Sequence, residues 1–290
     1  MLRSLFRRPN DDNGPSEPTA GGVPARVPPG VCVYAIGDIH GRLDLVDEMH
    51  RLITVDAAQL TPGTEKLVVY VGDYVDRGLE SREVIDALID HPLPDFRPVH
   101  LLGNHDAWLL TFLVDPRVGP TWLRYGGDAT LASYGVRVGT PVDEAPYYEQ
   151  LQSSLRERVP RRHVEFLQSL ELSYETGDYL FVHAGVRPSL PLDRQTADDL
   201  LWIREPFLSC RQEFGKVVVH GHTVDAEPTV RANRIGIDTG ACWTGCLTCL
   251  VLEEGDYRFL STAHPIRPAL TEPGADDGPP ATERSAQGAR

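Results

Sequence analysis

Three short polar loops dominate the first half of the chain: GDIHG at 37–41, GDYVDRG at 72–78 and GNHD at 103–106. Each follows a brief apolar, β-branched run (31–36, 67–71 and 98–102) and precedes a segment with helical spacing. Each therefore reads as a strand, a tight loop and a helix. The loops recur about every 31 to 35 residues, the length of a βαβ unit. In an open α/β sheet, loops at the carboxyl ends of neighbouring strands face one crevice. Asp38, His40, Asp73, Asn104 and His105 are thus expected to converge on one site. Carboxylate, amide and imidazole donors of this kind suit divalent metals rather than a dinucleotide.

The chain has 290 residues, 41% hydrophobic and 24% charged, enough for one large domain or two small ones. A formal net charge of −14 argues against a general nucleic-acid binder, which would carry a basic patch. No apolar run reaches the roughly 18 residues of a spanning helix, so a cytoplasmic protein without stable membrane association is expected. Residues 1–30 open with the basic MLRSLFRR and continue rich in Pro, Gly and Asp. No apolar signal-peptide core is present, and the composition reads as a disordered leader. The stretch 266–290 is similar and reads as a disordered tail, leaving 31–265 as the folded domain.

Within that domain, 42–52 and 81–89 space their apolar residues as amphipathic helices do, with Ser81 a candidate N-cap. A third helix fits 107–113. The region 121–172 has few strand signals and reads as a helical insertion, with Pro160 ending or kinking one helix. Its cluster Arg156, Arg158, Arg161 and Arg162 reads as a solvated helix face, with substrate capture as the alternative. Strand runs then resume: 179–182 ends in HAG, 216–219 in HGHT and 234–237 in DTG, and two more strands fit 247–252 and 257–261. Short runs after a helical insertion suggest a second sheet packed on the first. His183 and His222 join the earlier donors at strand ends, whereas His220 reads as a packing residue.

The ordered set GDIHG, GDYVDRG, GNHD, HAG and GHT resembles the calcineurin-like metallophosphoesterases over about 31–260. More narrowly it resembles their phosphoprotein phosphatase branch, which includes lambda-type protein phosphatases and bacterial diadenosine tetraphosphatases. That resemblance implies an α/β fold of two packed mixed β-sheets flanked by helices, an αββα sandwich, here with a helical insertion. It implies two divalent metal ions, manganese first with iron or zinc as alternatives. Asp38, His40 and Asp73 would hold one, and Asp73 would bridge to a second, held also by Asn104, His183 and His222. Many metallophosphoesterases carry a further histidine where Val224 stands, which fits the phosphoprotein phosphatase branch better. His105 would protonate the leaving oxygen, with Asp76 orienting it, and Arg77 and Arg204 would clamp phosphate. Asp238 would accept a hydrogen bond behind the metals or simply shape the turn.

Cys242, Cys246 and Cys249 have a C-x3-C-x2-C spacing that elsewhere holds an iron–sulfur cluster. They run into an apparent strand, where alternate side chains oppose one another, so buried thiols in a reducing compartment are the plainer expectation. On substrate the resemblance is mixed. GDYVDRG and LWIRE look like lambda-type protein phosphatases. LLGNHD, lacking the flanking Arg and Glu of many protein phosphatases, and DTGACWTGCLTCL look like diadenosine tetraphosphatases. The first expectation is a Ser/Thr protein phosphatase acting on a phosphorylated protein, the second a symmetrical dinucleoside polyphosphate hydrolase. A catalytically dead binding module would have lost ligands, and none is missing.

Overall fold

A computed structural model describes residues 25–140 and 144–262. Its first sheet has the order β10-β9-β1-β2-β3. Here β1 is Val31–Ile36, β2 Glu65–Tyr70, β3 Phe96–His100, β9 Thr248–Glu253 and β10 Asp256–Ser261. The first three strands are parallel and joined by helices α1 (Leu43–Ala57) and α2 (Ser81–Asp90), while β9 returns antiparallel against β1. The second sheet, β4-β5-β6-β8-β7, is built from β4 (Ser173–Thr176), β5 (Tyr179–Val182), β6 (Val217–His220), β7 (Thr229–Val230) and β8 (Arg234–Gly236). Its centre is parallel and both its edge strands are antiparallel.

Side chains alternate faces along a strand, and this decides the layering. Val33, Ala35, Leu67 and Val69 turn inward against Phe181, Val219 and Ile235 of the other sheet. Cys32, Tyr34, Ile36 and Val68 turn outward onto Leu45, Met49 and Ile53 of α1 and Val84 and Leu88 of α2. Each fully buried aliphatic side chain contributes about 1.5–3 kcal/mol, so both faces of β1 are strongly specified. The result is the αββα sandwich, with helices outside two mixed sheets.

After β3, helix α3 (Asn104–Val114) leads into the insertion: α4 (Gly119–Trp122), a π-turn at Leu123–Gly127, α5 (Asp128–Ser133), α6 (Glu144–Arg158) and α7 (Arg161–Gln168). Pro160 separates the last two, as its missing N–H and fixed φ require. The arginine cluster lies on an exposed face, where Arg161 pairs with Glu165 and Arg162 with Asp86 and Asp90. Two short helices, α8 (Ala197–Trp202) and α9 (Ala241–Thr244), complete the fold.

Two details depart from the sequence reading. Ser81 is the first helical residue, not the N-cap, and its Oγ accepts from the Asp76 main chain at 3.0 Å. The packed chain begins before 31: Val27 is buried and its N–H donates to Glu254 O at 3.0 Å. Residues 1–24 of the expected leader, and the whole of the expected tail, lie outside the described residues. Among the described residues, no helix is long and apolar enough to cross a membrane.

Candidate active site

The carboxyl ends of β1, β2, β5 and β6 meet at one place, and the loops there are knitted by main-chain bonds. Ile39 and His40 N–H both donate to Asp73 O (3.1 and 2.8 Å), and Gly78 N–H donates to His40 O at 3.1 Å. The backbone is held away from its ordinary conformations: His40, Asp73, Asp76, Arg77 and His222 all have φ between 48 and 72°. A non-glycine residue there costs of order 1–3 kcal/mol and persists only where its surroundings dictate it. Gly103, the N-cap of α3, lies against Asp73, and a Cβ would strike the Asp73 carboxylate. Asp106, at the third position of that helix, accepts from the N–H groups of Gly103, Asp73 and Tyr74 at 2.9–3.0 Å. One carboxylate thus ties the second loop to the third.

Two groups of buried donors result, and both contain Asp73. In one, ring nitrogens of His40 and His105 lie with an Asp73 oxygen, all within 4.8 Å of one another. In the other, His183 and His222 do so. His40 donates Nδ1–H to Val75 O at 2.8 Å and His183 donates Nδ1–H to Val71 O at 2.9 Å. Each bond fixes a tautomer with the lone pair on Nε2, the arrangement by which proteins aim imidazoles at metals. That lone pair on His183 points at Asn104 Oδ1 (2.7 Å) and Asp73 Oδ2 (3.5 Å). Acceptors facing acceptors repel unless a cation lies among them. Asn104 Nδ2 and His222 Nε2, both buried, have no hydrogen-bond partner among the described residues. The donor set therefore fits borderline divalent cations sharing Asp73. Asp38 stands just outside both groups: it accepts from His222 N–H at 3.1 Å and feels the charge of the neighbouring Asp238 carboxyl.

Burial sets the protonation pattern. It pushes His183 down to about 4 and holds His40, His105 and His222 well below the usual imidazole range. Neutral imidazole is the form that ligates metal. Burial, reinforced by Asp238 and Asp73, raises Asp38 well above the usual carboxylate range, and burial with Asp73 brings Asp106 up to about 7. Crowded, buried carboxyl groups disfavour ionisation, so added positive charge is electrostatically welcome.

Beside these groups His105 Nδ1 donates to Asp76 Oδ2 at 2.7 Å, leaving Nε2 toward the site. The Arg77 guanidinium caps the first group, donating to His40 Nε2 at 2.9 Å and His105 Nε2 at 3.1 Å, with its face on the Trp243 ring at 4.5 Å. Arg204 donates to His222 O at 3.5 Å. His220 points elsewhere, bonded to Gly221 O and approached by Arg234. Asp238 Oδ1 accepts from Gly240 N–H at 2.9 Å, so it shapes its turn and also abuts Asp38. No cysteine belongs to a metal-capable group among the described residues, and all five thiols are free.

Four residues in the site escaped sequence reasoning. Asp106 carried a signal, an acidic residue at the third helical position behind a Gly N-cap. Trp243 lies in the cysteine-rich segment and carried none. Trp122 Nε1 donates to Asp76 Oδ2 at 2.8 Å and Thr130 Oγ1 to Asp76 Oδ1 at 2.6 Å, both from the insertion, 46 and 54 residues away.

The sequence pattern that defines the calcineurin-like phosphoesterases extends over residues 33–264, and the chain belongs to that family. It is accordingly a metal-dependent phosphatase. It is 26% identical over 234 residues to an asymmetrical bis(5'-nucleosyl)-tetraphosphatase, PrpE, from Anoxybacillus flavithermus, covering 74% of this chain and 88% of that one. It is also 26% identical over 229 residues to serine/threonine-protein phosphatase 2 of Salmonella typhimurium, covering 74% and 90%. A solved structure described as a candidate diadenosine tetraphosphatase superposes with a TM-score of 0.55 at 22% identity, over 82% of this chain and 98% of that one, and shares its fold.

Proposed function

We propose that this phosphatase hydrolyses phosphate monoesters with two divalent cations. Asp38, His40 and Asp73 would hold one, and Asp73, Asn104, His183 and His222 the other. The observation that carries the reading is Asp73 shared between two groups of buried donors, the first of which also contains His105, paired with Asp76. Bound there, the cations lower the pKa of water and polarise phosphoryl oxygens. Manganese comes first, with iron or zinc as alternatives, since such donors accept all three.

The chain's own groups supply the rest. Arg77 and Arg204 direct guanidinium donors at the phosphate oxygens, where planar forks match tetrahedral anions. Asn104 Nδ2, buried and unmatched among the described residues, adds a donor on the same side. Once protonated at Nε2, the nitrogen that otherwise accepts from Arg77, His105 would deliver that proton to the departing oxygen and return to neutral imidazole, while Asp76 keeps Nδ1–H fixed and stabilises the imidazolium form. Proton transfer of this kind contributes about 10²- to 10⁴-fold. The five free thiols support a reducing, cytoplasmic setting.

For substrate we favour a phosphorylated serine or threonine of a protein, supported by Arg204 within the lambda-type LWIRE context. A specific observation favours a second reading, a dinucleoside polyphosphate. Buried Trp108 packs edge-on to His105 (5.1 Å) and against the half-buried Tyr125 (5.4 Å) and Trp202 (4.8 Å), which places aromatic rings of the kind that stack bases near the leaving-group side. The sequence expectation for that reading is symmetrical cleavage, whereas the tetraphosphatase relative is named for asymmetrical cleavage, so the product identifies the cleavage pattern as well. The test is product analysis by manganese-loaded protein on a phosphothreonine peptide, diadenosine tetraphosphate and p-nitrophenyl phosphate, with and without chelator. Preference for the peptide upholds the first substrate. Turnover of the dinucleotide at the higher kcat/KM upholds the second, two ADP marking symmetrical cleavage and ATP with AMP asymmetrical cleavage. Activity on all three that survives chelation and exhaustive metal removal would overturn the two-cation reading.

A further inference from the structure

Asp76 and Arg77 are consecutive and both left-handed, with φ of 72 and 68°. Two such residues in a row cost of order a few kcal/mol, so something must hold them. Part of the restraint is local, since Ser81 Oγ accepts the Asp76 N–H at 3.0 Å, and the helical insertion adds the rest. Thr130 Oγ1 donates to Asp76 Oδ1 at 2.6 Å and lies 2.8 Å from the Asp76 N–H, which it can accept. Trp122 Nε1, which can only donate, holds Oδ2 at 2.8 Å, the same oxygen that receives His105 Nδ1–H. Gly126 O accepts the Arg77 N–H at 3.0 Å. Gly126 has φ 106°, and a Cβ there would come within 2.7 Å of Arg77 N, so only glycine lets this carbonyl in. Trp122 and Thr130 are fully buried, and Trp122 packs on Phe112 of α3 at 4.8 Å.

The geometry is more than packing needs. A carboxylate bonded on one oxygen alone can swing about its terminal torsion, which is broad and roughly two-fold. Here each oxygen of Asp76 has a donor from the insertion, so its plane is fixed before His105 is added. We propose that Trp122 and Thr130 are positioning residues: they hold Asp76 so that Asp76 holds the His105 imidazole in line with the departing oxygen. The insertion is thereby part of the proton-donating apparatus. This rests on the reading of His105 as the leaving-group acid, and the experiment separates the two.

The readout is sensitivity to the leaving group. p-Nitrophenolate departs readily without a proton, whereas an alkoxide needs one as its bond to phosphorus breaks. In manganese-loaded full-length protein, Thr130→Val removes the hydroxyl at nearly constant shape and Trp122→Phe removes the indole donor while keeping a ring. Each is expected to lower kcat for an alkyl phosphate about 10- to 100-fold and for p-nitrophenyl phosphate less than about threefold, part of the full proton-transfer effect. KM is expected to stay unchanged. Thr130→Ser, which restores the hydroxyl, is expected to recover alkyl phosphate turnover to within about threefold of the parent. Equal losses on both substrates, or none on either, would overturn the positioning role; a purely structural contact gives the former. His105→Asn is the reference. If it too shows no difference between the leaving groups, the acid assignment itself fails. If it shows the difference and both insertion variants do not, only the present inference fails. Should Thr130→Val not fold, Trp122→Phe and Thr130→Ser decide the matter.

Discussion

The loops at the strand ends and the helical insertion hold the same two residues by different means. The GDYVDRG loop supplies Asp76 and Arg77 and imposes their left-handed backbone, while α4, the π-turn and α5 meet their side chains and N–H groups from outside. In the proposed reading, the loops carry the groups that meet phosphate and metal. The insertion carries groups that meet only those groups. Chemistry and its alignment are thus contributed by separate parts of the chain, and they should fail in separable ways.

Substitutions can break that division or sharpen it. The largest effect is expected from the shared carboxylate. Asp73→Asn should cut manganese-dependent turnover by about 10³-fold or more, the scale of several kcal/mol of charge stabilisation, and reduce metal content measured by elemental analysis. Full activity in that variant would dissolve the distinction at its root. Next, His105→Asn should lower kcat about a hundredfold with metal content unchanged, which would separate proton delivery from metal holding within one loop.

A smaller effect concerns the joint between sheet and insertion. His100 of β3 lies stacked on Tyr70 (4.9 Å) and edge-on to Phe166 of α7 (5.1 Å), and burial, helped by His50, pushes it down to about 4. The unfolded chain binds a proton there near pH 6.5, so the unfolded state takes up more protons as pH falls. Stability should therefore decline from about pH 6.5 toward 4, and His100→Phe should flatten that part of the urea-midpoint profile. The smallest effect is expected at the insertion's outer surface. Arg162→Ala, which breaks exposed pairs with Asp86 and Asp90, should change unfolding free energy by less than about 1 kcal/mol. A larger loss would mean that ions rather than buried contacts fasten the insertion.

The same contrast explains what could be read from the chain alone. Strands β1, β2 and β5 announce themselves because both faces are buried, and each ends in a loop whose donors lie within a few residues of one another. β4 and β7 were passed over: β4 is half-exposed along its length and β7 is two residues long. Trp122 and Thr130 sit in a helical stretch where a buried tryptophan and threonine look like ordinary core. Their partner, Asp76, is 46 and 54 residues away, and no spacing rule spans such a distance. Val27 is a similar case, an apolar residue among prolines whose burial depends on a main-chain bond to Glu254. Asp38 was legible as part of the site, but its place beside Asp238 and the His222 N–H follows from how the two sheets abut.

The order of strands in the first sheet has a consequence for how the chain is made. β1 is paired on one edge by β2, which follows closely, and on the other by β9, where Cys32 lies opposite Glu253. Synthesis proceeds at about 5–20 residues per second, so the second partner emerges roughly 10 to 45 s after the first strand. During that interval the nascent chain presents VCVYAI, an apolar strand with an open edge, which is the kind of surface that pairs with strangers. A chain cut short before β9 keeps that edge permanently. It is expected to aggregate even though every loop of the first half is present, which makes the last hairpin a guard on the ribosome as much as a wall of the fold.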